Sequence, residues 1–251
     1  MEAGAEELGT IAYNHFLSVS RNRAIQIVAT NLMLSTDEIE PKILAYLQGA
    51  HGFPPDQTPE QWGDYVSDLI AWAHDERKTE FQGTRRSAVV ATCSALENSA
   101  KCLFVARAEL DPTTLESIAT KRVSVSVSDY VNLAERDRYF ALADKLFQDT
   151  DSKWHFDKFS NYVKLIAPEM HANFDAQTKD IEKTDFNEAF SVRNCIVHHG
   201  ARATKALSTF AQFPIGTDVR ITVDSQKRYL KAMRAFAGAI ANITPPILEE
   251  I

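Results

Sequence analysis

The chain has 251 residues, 45% hydrophobic and 24% charged, with a net charge of −7. That length allows one large domain or a domain with a substantial extension, and the composition excludes wholesale disorder. The net negative charge argues against a protein that coats nucleic acid by general electrostatics.

No uncharged apolar run approaches the ~20 residues of a membrane span, and MEAGAEELGT lacks the basic start and apolar stretch of a signal peptide. The three cysteines, Cys93, Cys102 and Cys195, form no CxxC and read as reduced thiols in the cytosol. Charge is unevenly spread. Residues 1–83 hold 13 acidic and 5 basic side chains, residues 84–188 hold 17 and 14, and residues 189–251 hold 4 and 8. The last quarter is the only basic part and would draw a phosphate-bearing ligand first, unless its excess is simply a solvated helix face.

Apolar residues recur mostly at helical spacing, so the predicted elements are almost all helices. The first runs from about Glu6 to Leu34, and Ser35-Thr36-Asp37 starts a second that ends near Gln48. Gly52, Pro54 and Pro55 break the chain. Thr58, Pro59 and Gln61 make a capping-box start for a third helix carrying Trp62, Tyr65, Leu69, Ile70 and Trp72. A long helix covers Thr84 to about Glu109, and a short one Thr113–Thr120. RVSVSVS, Arg122–Ser128, alternates like a strand or leads extended into the next helix, capped by Ser128 or Asp129. Helices then cover Tyr130–Phe147, Asp157–Phe174 and Asp185–His199; Val219, Ile221 and Val223 form a short extended piece. Ser225–Ile243 is the last helix, stopped by Pro245-Pro246. The expected fold class is all-α with at most a short strand pair.

The penultimate helix is the most informative. Asp185 and Glu188 look like a capping box, and Gly200 stands where a helix stop belongs. With Arg193 at the zero of angle, Asn194 lies near ~100° and His198 near ~140° on a 3.6-residue helix. Phe186, Phe190 and Val197 fall between Arg193 and that pair, while Ala189, Val192 and Ile196 cover much of the rest. A helix apolar nearly all round is buried, and its polar side chains need partners. Two readings follow from spacing. Either Arg193 pairs with a carboxylate while His198 and His199 suit the helix dipole, or the polar group lines a cleft.

Arg193-Asn194-Cys195-Ile196-Val197-His198 matches the Rx4–6H motif, and on it the chain resembles the HEPN-domain ribonucleases. RRSAVVATCSALENSAKCLF (Arg85–Phe104) is similar to that family's opening helix, with Glu97 and Asn98 at its polar centre. KRVSVSVSDYVNL resembles an insert of the larger, RiboL-PSP-like members, and the span after the motif their C-terminal end. The resemblance implies a HEPN-like helical bundle over residues 84–251; residues 1–83 lie outside it and read from their apolar spacing as an N-terminal helical extension.

It also implies a metal-independent, cofactor-free endoribonuclease of toxin or anti-phage defence type, cytoplasmic and not membrane-bound. Two motif helices would meet across a two-fold axis in a homodimer. His198 would act as base or acid, Arg193 would hold the scissile phosphate, and Asn194 would orient either. His199, Arg202, Lys205, Glu97 and Asn98 would contribute to RNA binding. Arg220, Lys227, Arg228, Lys231 and Arg234 either extend a phosphate track or are ordinary exposed charge. The tryptophans either stack on bases or pack internally, and Cys195 counts as a small apolar residue. No metal is implied, because the adjacent His198-His199 pair lacks an HExxH partner set. Restraint of such an activity would come from an antitoxin, a companion defence protein or the acidic residues 1–83, whose deletion is then expected to raise cleavage. The alternative function is a non-catalytic HEPN-like interaction or RNA-binding module.

Overall fold

The structure, a computed structural model, describes residues 13–19, 21, 68, 71–110, 113–118, 133–210 and 212–243. Among them the chain is all-α. The helices are α1 (Gln82–Leu110), α2 (Thr113–Ile118), α3 (Glu135–Asp149), α4 (His155–Ile166), α5 (His171–Thr178), α6 (Lys183–His198) and α7 (Val223–Asn242). Single 3₁₀ turns cover Pro168–Met170 and Leu207–Thr209. Residues 13–19 and 71–78 are also helical. Most of the N-terminal helices expected from the sequence, the RVSVSVS segment with its cap, and the Pro245-Pro246 stop lie outside the described residues.

Four boundaries differ from expectation. The helix expected from Tyr130 starts at Glu135, after Ala134 in extended backbone (φ −60°, ψ 156°). The single helix expected over Asp157–Phe174 is two helices, because Pro168 cannot donate an N–H and disfavours helical backbone at the residue before it. Ala167 accordingly sits at φ −144°, ψ 59°. Helix α6 starts at Lys183 rather than Asp185, with the Glu182 carboxylate accepting from the Thr184 N–H at 3.2 Å. Asp185 is instead ion-paired with Arg228 of α7 at 2.5 Å. The expected extended piece at Val219–Val223 forms no strand, and an isolated antiparallel bridge joins Arg202 to Asp218 just before it. Val223 already belongs to α7, whose first turn is capped by the Thr222 hydroxyl accepting from the Ser225 N–H.

The chain divides into two compact units, residues 1–20 with 89–251, and residues 21–88; the division falls within α1. In the smaller unit the start of α1 is capped from a distance. The Glu76 carboxylate accepts from the Thr84 N–H at 2.9 Å and from its hydroxyl at 2.8 Å. A Cβ at Gly83 would crowd Glu76 Oε1, so a larger residue there would require that carboxylate to shift.

The larger unit is organised around α6, which packs on α4 and α7, while α7 also packs on α5. Between them lies an aromatic cluster of Phe156, Phe159, Phe174, Phe186, Phe190 and Phe236, with ring centroids 4.8–5.6 Å apart and mostly edge to face. That is the geometry favoured by ring quadrupoles. Helix α1 is long and apolar enough to cross a membrane by length and composition alone, but 67% of its most apolar window is buried inside the protein. Leu96, Leu103, Phe104 and Val105 give that stretch to the core.

Phe16, from helical residues 13–19, is fully buried in the same core. Deleting residues 1–83 therefore removes a core side chain as well as acidic charge, so the truncation cannot isolate an inhibitory effect. Phe16→Ala is expected to lower unfolding free energy by about 3–5 kcal/mol. Ile215→Ala, at a side chain 65% exposed, should change it by less than about 0.5 kcal/mol. Urea melts of the two variants check the difference.

Candidate active site at the end of α6

Helix α6 changes character along its length. From Asp185 to Phe190 every residue is buried, as are Val192 and Cys195, whereas Val197, His198 and His199 are exposed. The helix stops because the next two residues, Gly200 (φ 55°) and Ala201 (φ 60°), are left-handed. The N–H groups of His199 and Ala201 both return to the Cys195 carbonyl at 3.0 Å. This satisfies an end carbonyl and turns the chain away. Ala201 and Ala203 then pair with Val219 and Thr217 through backbone hydrogen bonds, which fixes the loop that follows the motif.

Arg193 sits at the change from buried to exposed, its side chain 23% exposed. Its Nη1 donates to Asn194 Oδ1 at 3.0 Å. Nη2 lies 3.8 Å from Glu97 Oε2 of α1, an ion pair too long to be a hydrogen bond. Nε is buried without a hydrogen-bond partner. Burial pushes the Glu97 carboxyl above its ordinary pKa, with Arg193, Lys101 and Lys158 pulling the other way. The guanidinium is therefore incompletely paired, which leaves it able to take an oxyanion.

Asn194 joins Arg193 to a residue that the sequence reading did not single out, His155, the first residue of α4. Its Nδ2 lies 3.4 Å from His155 Nε2, and the imidazole stacks on Phe190 with centroids 4.8 Å apart and planes at 22°. Burial first, then the charges of Lys158 and Arg193, lower the His155 pKa to about 4. The ring is neutral at physiological pH. Nothing in the local sequence marks His155, since it reaches Asn194 only by the packing of α4 on α6.

The other expected site residues divide. Glu97 is brought to Arg193, but Asn98 is exposed and contacts Cys102 Sγ of its own helix at 3.8 Å. His198 and His199 are exposed, and no hydrogen bond or ion pair joins His198 to Arg193 within the chain. Arg202 and Lys205 are exposed in the loop beyond the helix. Glu188, read as part of a capping box, is 3% exposed and accepts from the Tyr229 hydroxyl at 2.5 Å and from Gln212. Cys195 is buried, with Sγ 3.5 Å from the Thr204 hydroxyl. Trp72 is half exposed, while Trp154 is partly buried and meets Phe210 edge to face at 6.2 Å. Among the described residues no group of three or more His, Cys, Asp or Glu side chains converges as metal ligands would. Comparison of the chain with protein-family models, curated proteins and solved structures found no match.

Because His155 is held at a pKa of about 4 against an ordinary 6.5, the unfolded chain binds its proton first as pH falls. The stability linked to this group is full above about pH 6.5 and is lost progressively as pH drops towards about 4. Glu97, shifted upward, acts in the opposite sense, favouring the folded state at the acid end of its range. His155→Phe should remove about 1–3 kcal/mol of this acid sensitivity between pH 6.5 and 4. Urea midpoints across that range provide the measurement.

Proposed function

We propose that this chain is a metal-independent endoribonuclease of the HEPN type, active as a two-fold dimer in which the ends of two α6 helices form one cleft. The observation that carries the reading is the sequence Arg193–His198 at a helix end that passes from buried to exposed. A partly reachable, incompletely paired guanidinium precedes an exposed imidazole by five residues. Val197, 46% exposed beside His198, supplies apolar surface for a second copy, and an isologous contact would bring two such ends together.

In this reading an imidazole takes the proton of a ribose 2′-hydroxyl, and the 2′-oxygen attacks the adjacent phosphorus. The P–O5′ bond breaks, and the departing 5′-oxygen receives a proton from the second histidine of the dimer, which enters the step as imidazolium. The products are a 2′,3′-cyclic phosphate and a free 5′-hydroxyl. Arg193 neutralises charge on the phosphorane, the phosphate replacing Glu97 as the guanidinium's anionic partner. The basic residues Arg202 and Lys205 beyond the helix would lie on the path of the RNA backbone. A toxin or defence role, with a protein antitoxin or companion as restraint, is the biological setting this activity suggests.

Arg193→Ala and His198→Ala are each expected to lower RNA cleavage by about 100-fold or more, with melting temperature and dimer mass retained. Cleavage at the wild-type rate by both variants would exclude the proposed site. RNA binding by a wild-type protein that cleaves no RNA would assign the chain to the non-catalytic modules instead.

A further inference from the structure

We propose that His155 is a positioning residue of the Arg193 site, its ring holding the Asn194 amide and, through it, the guanidinium in a single orientation. The inference rests on the ribonuclease reading for its catalytic consequence but not for its geometry.

Arginine can only donate, so the 3.0 Å contact from Arg193 Nη1 requires the carbonyl oxygen of Asn194 at that position. The amide nitrogen must then face His155, 3.4 Å away. An amide nitrogen also only donates, so His155 Nε2 must accept and the ring proton must reside on Nδ1. A chain of two hydrogen bonds thereby fixes one amide orientation and one tautomer.

The anchor of that chain is rigid. On α6, Asn187, Phe190 and Asn194 are three and four residues apart and share one stripe, and all three grip the first turn of α4. Asn187 Oδ1 accepts from the Phe156 N–H at 2.9 Å, Phe190 stacks on the His155 ring, and Asn194 meets its Nε2. Phe190 is fully buried and wedged against Phe159 and Phe186. The imidazole is therefore clamped by the core.

The guanidinium has no comparable hold elsewhere. Its Nε is unpartnered and Glu97 stands beyond hydrogen-bond distance, so the Asn194 contact is what sets its direction. Holding a long, rotamer-rich side chain in place before substrate arrives lowers the cost of ordering it in the transition state. The charged groups facing the ring are Lys158 from its own helix and Arg193 from α6. Both oppose its protonation.

Nitrogen-15 NMR of histidine side chains in the full chain tests the geometry directly. The expected wild-type result is a neutral His155 with its proton on Nδ1. Asn194→Asp should move that proton to Nε2, because a carboxylate can only accept, and should raise the pKa of His155. A proton already on Nε2 in the wild type, or no response to Asn194→Asp, overturns the proposal. Cleavage assays test the consequence. His155→Phe keeps the stacking ring but offers no acceptor, and should lower kcat about tenfold with KM little changed. His155→Gln, which returns an acceptor, should restore part of that loss. Wild-type kcat in a folded His155→Phe variant overturns the proposal. If the wild-type chain cleaves no RNA, the ribonuclease reading falls and the NMR response alone decides the positioning role.

Discussion

Helix α4 begins without a cap of its own. The Trp154 side chain offers no hydrogen bond, so the orphan N–H groups that every helix start presents must find partners elsewhere. The Phe156 N–H finds one in Asn187, a buried side chain on α6. This contact spans 31 residues of sequence, and it fixes where the first turn of α4 stands against α6. The stacking of His155 on Phe190 and its approach to Asn194 follow from that register. So does the placing of Phe156 and Phe159 among the rings of α6 and α7.

The same register sets the electrostatics at the far end of α6. Arg193 comes to rest between Glu97, Asn194 and His155 in a partly desolvated pocket, where charges interact more strongly than in water but also cost more to bury. The pocket answers that cost unevenly. His155 stays neutral and Glu97 is drawn towards its neutral form by burial. An arginine with one short hydrogen bond and a distant carboxylate is poorly compensated. That is the condition in which an incoming anion gains most from meeting it.

Reading the chain from its residues located most helices because their apolar spacing is a local property. The long α1, the short α2 and the final α7 were legible to within a few residues. The errors have local causes too. The break at Ala167-Pro168 was written in the sequence as a proline inside a helical pattern, but apolar periodicity ran on through it. Asp185 and Glu188 had the spacing of a capping box, yet both turn to α7, Asp185 to Arg228 and Glu188 to Tyr229. A carboxylate pattern at a helix start does not say whether its partners are its own N–H groups or another helix.

By itself the sequence determined the helical character of the chain, the stop at Gly200, and the placing of Arg193, Asn194 and His198 on one helix end, because each depends on periodicity or on a residue's own backbone preference. Tertiary structure alone decided which carboxylate meets Arg193, why Asn98 faces away while its neighbour Glu97 does not, and that His155 joins the group. Those outcomes depend on how α4 packs against α6 and on where Glu97 of α1 meets Arg193. Packing is set by the fit of the whole aromatic core, which no short stretch of residues contains.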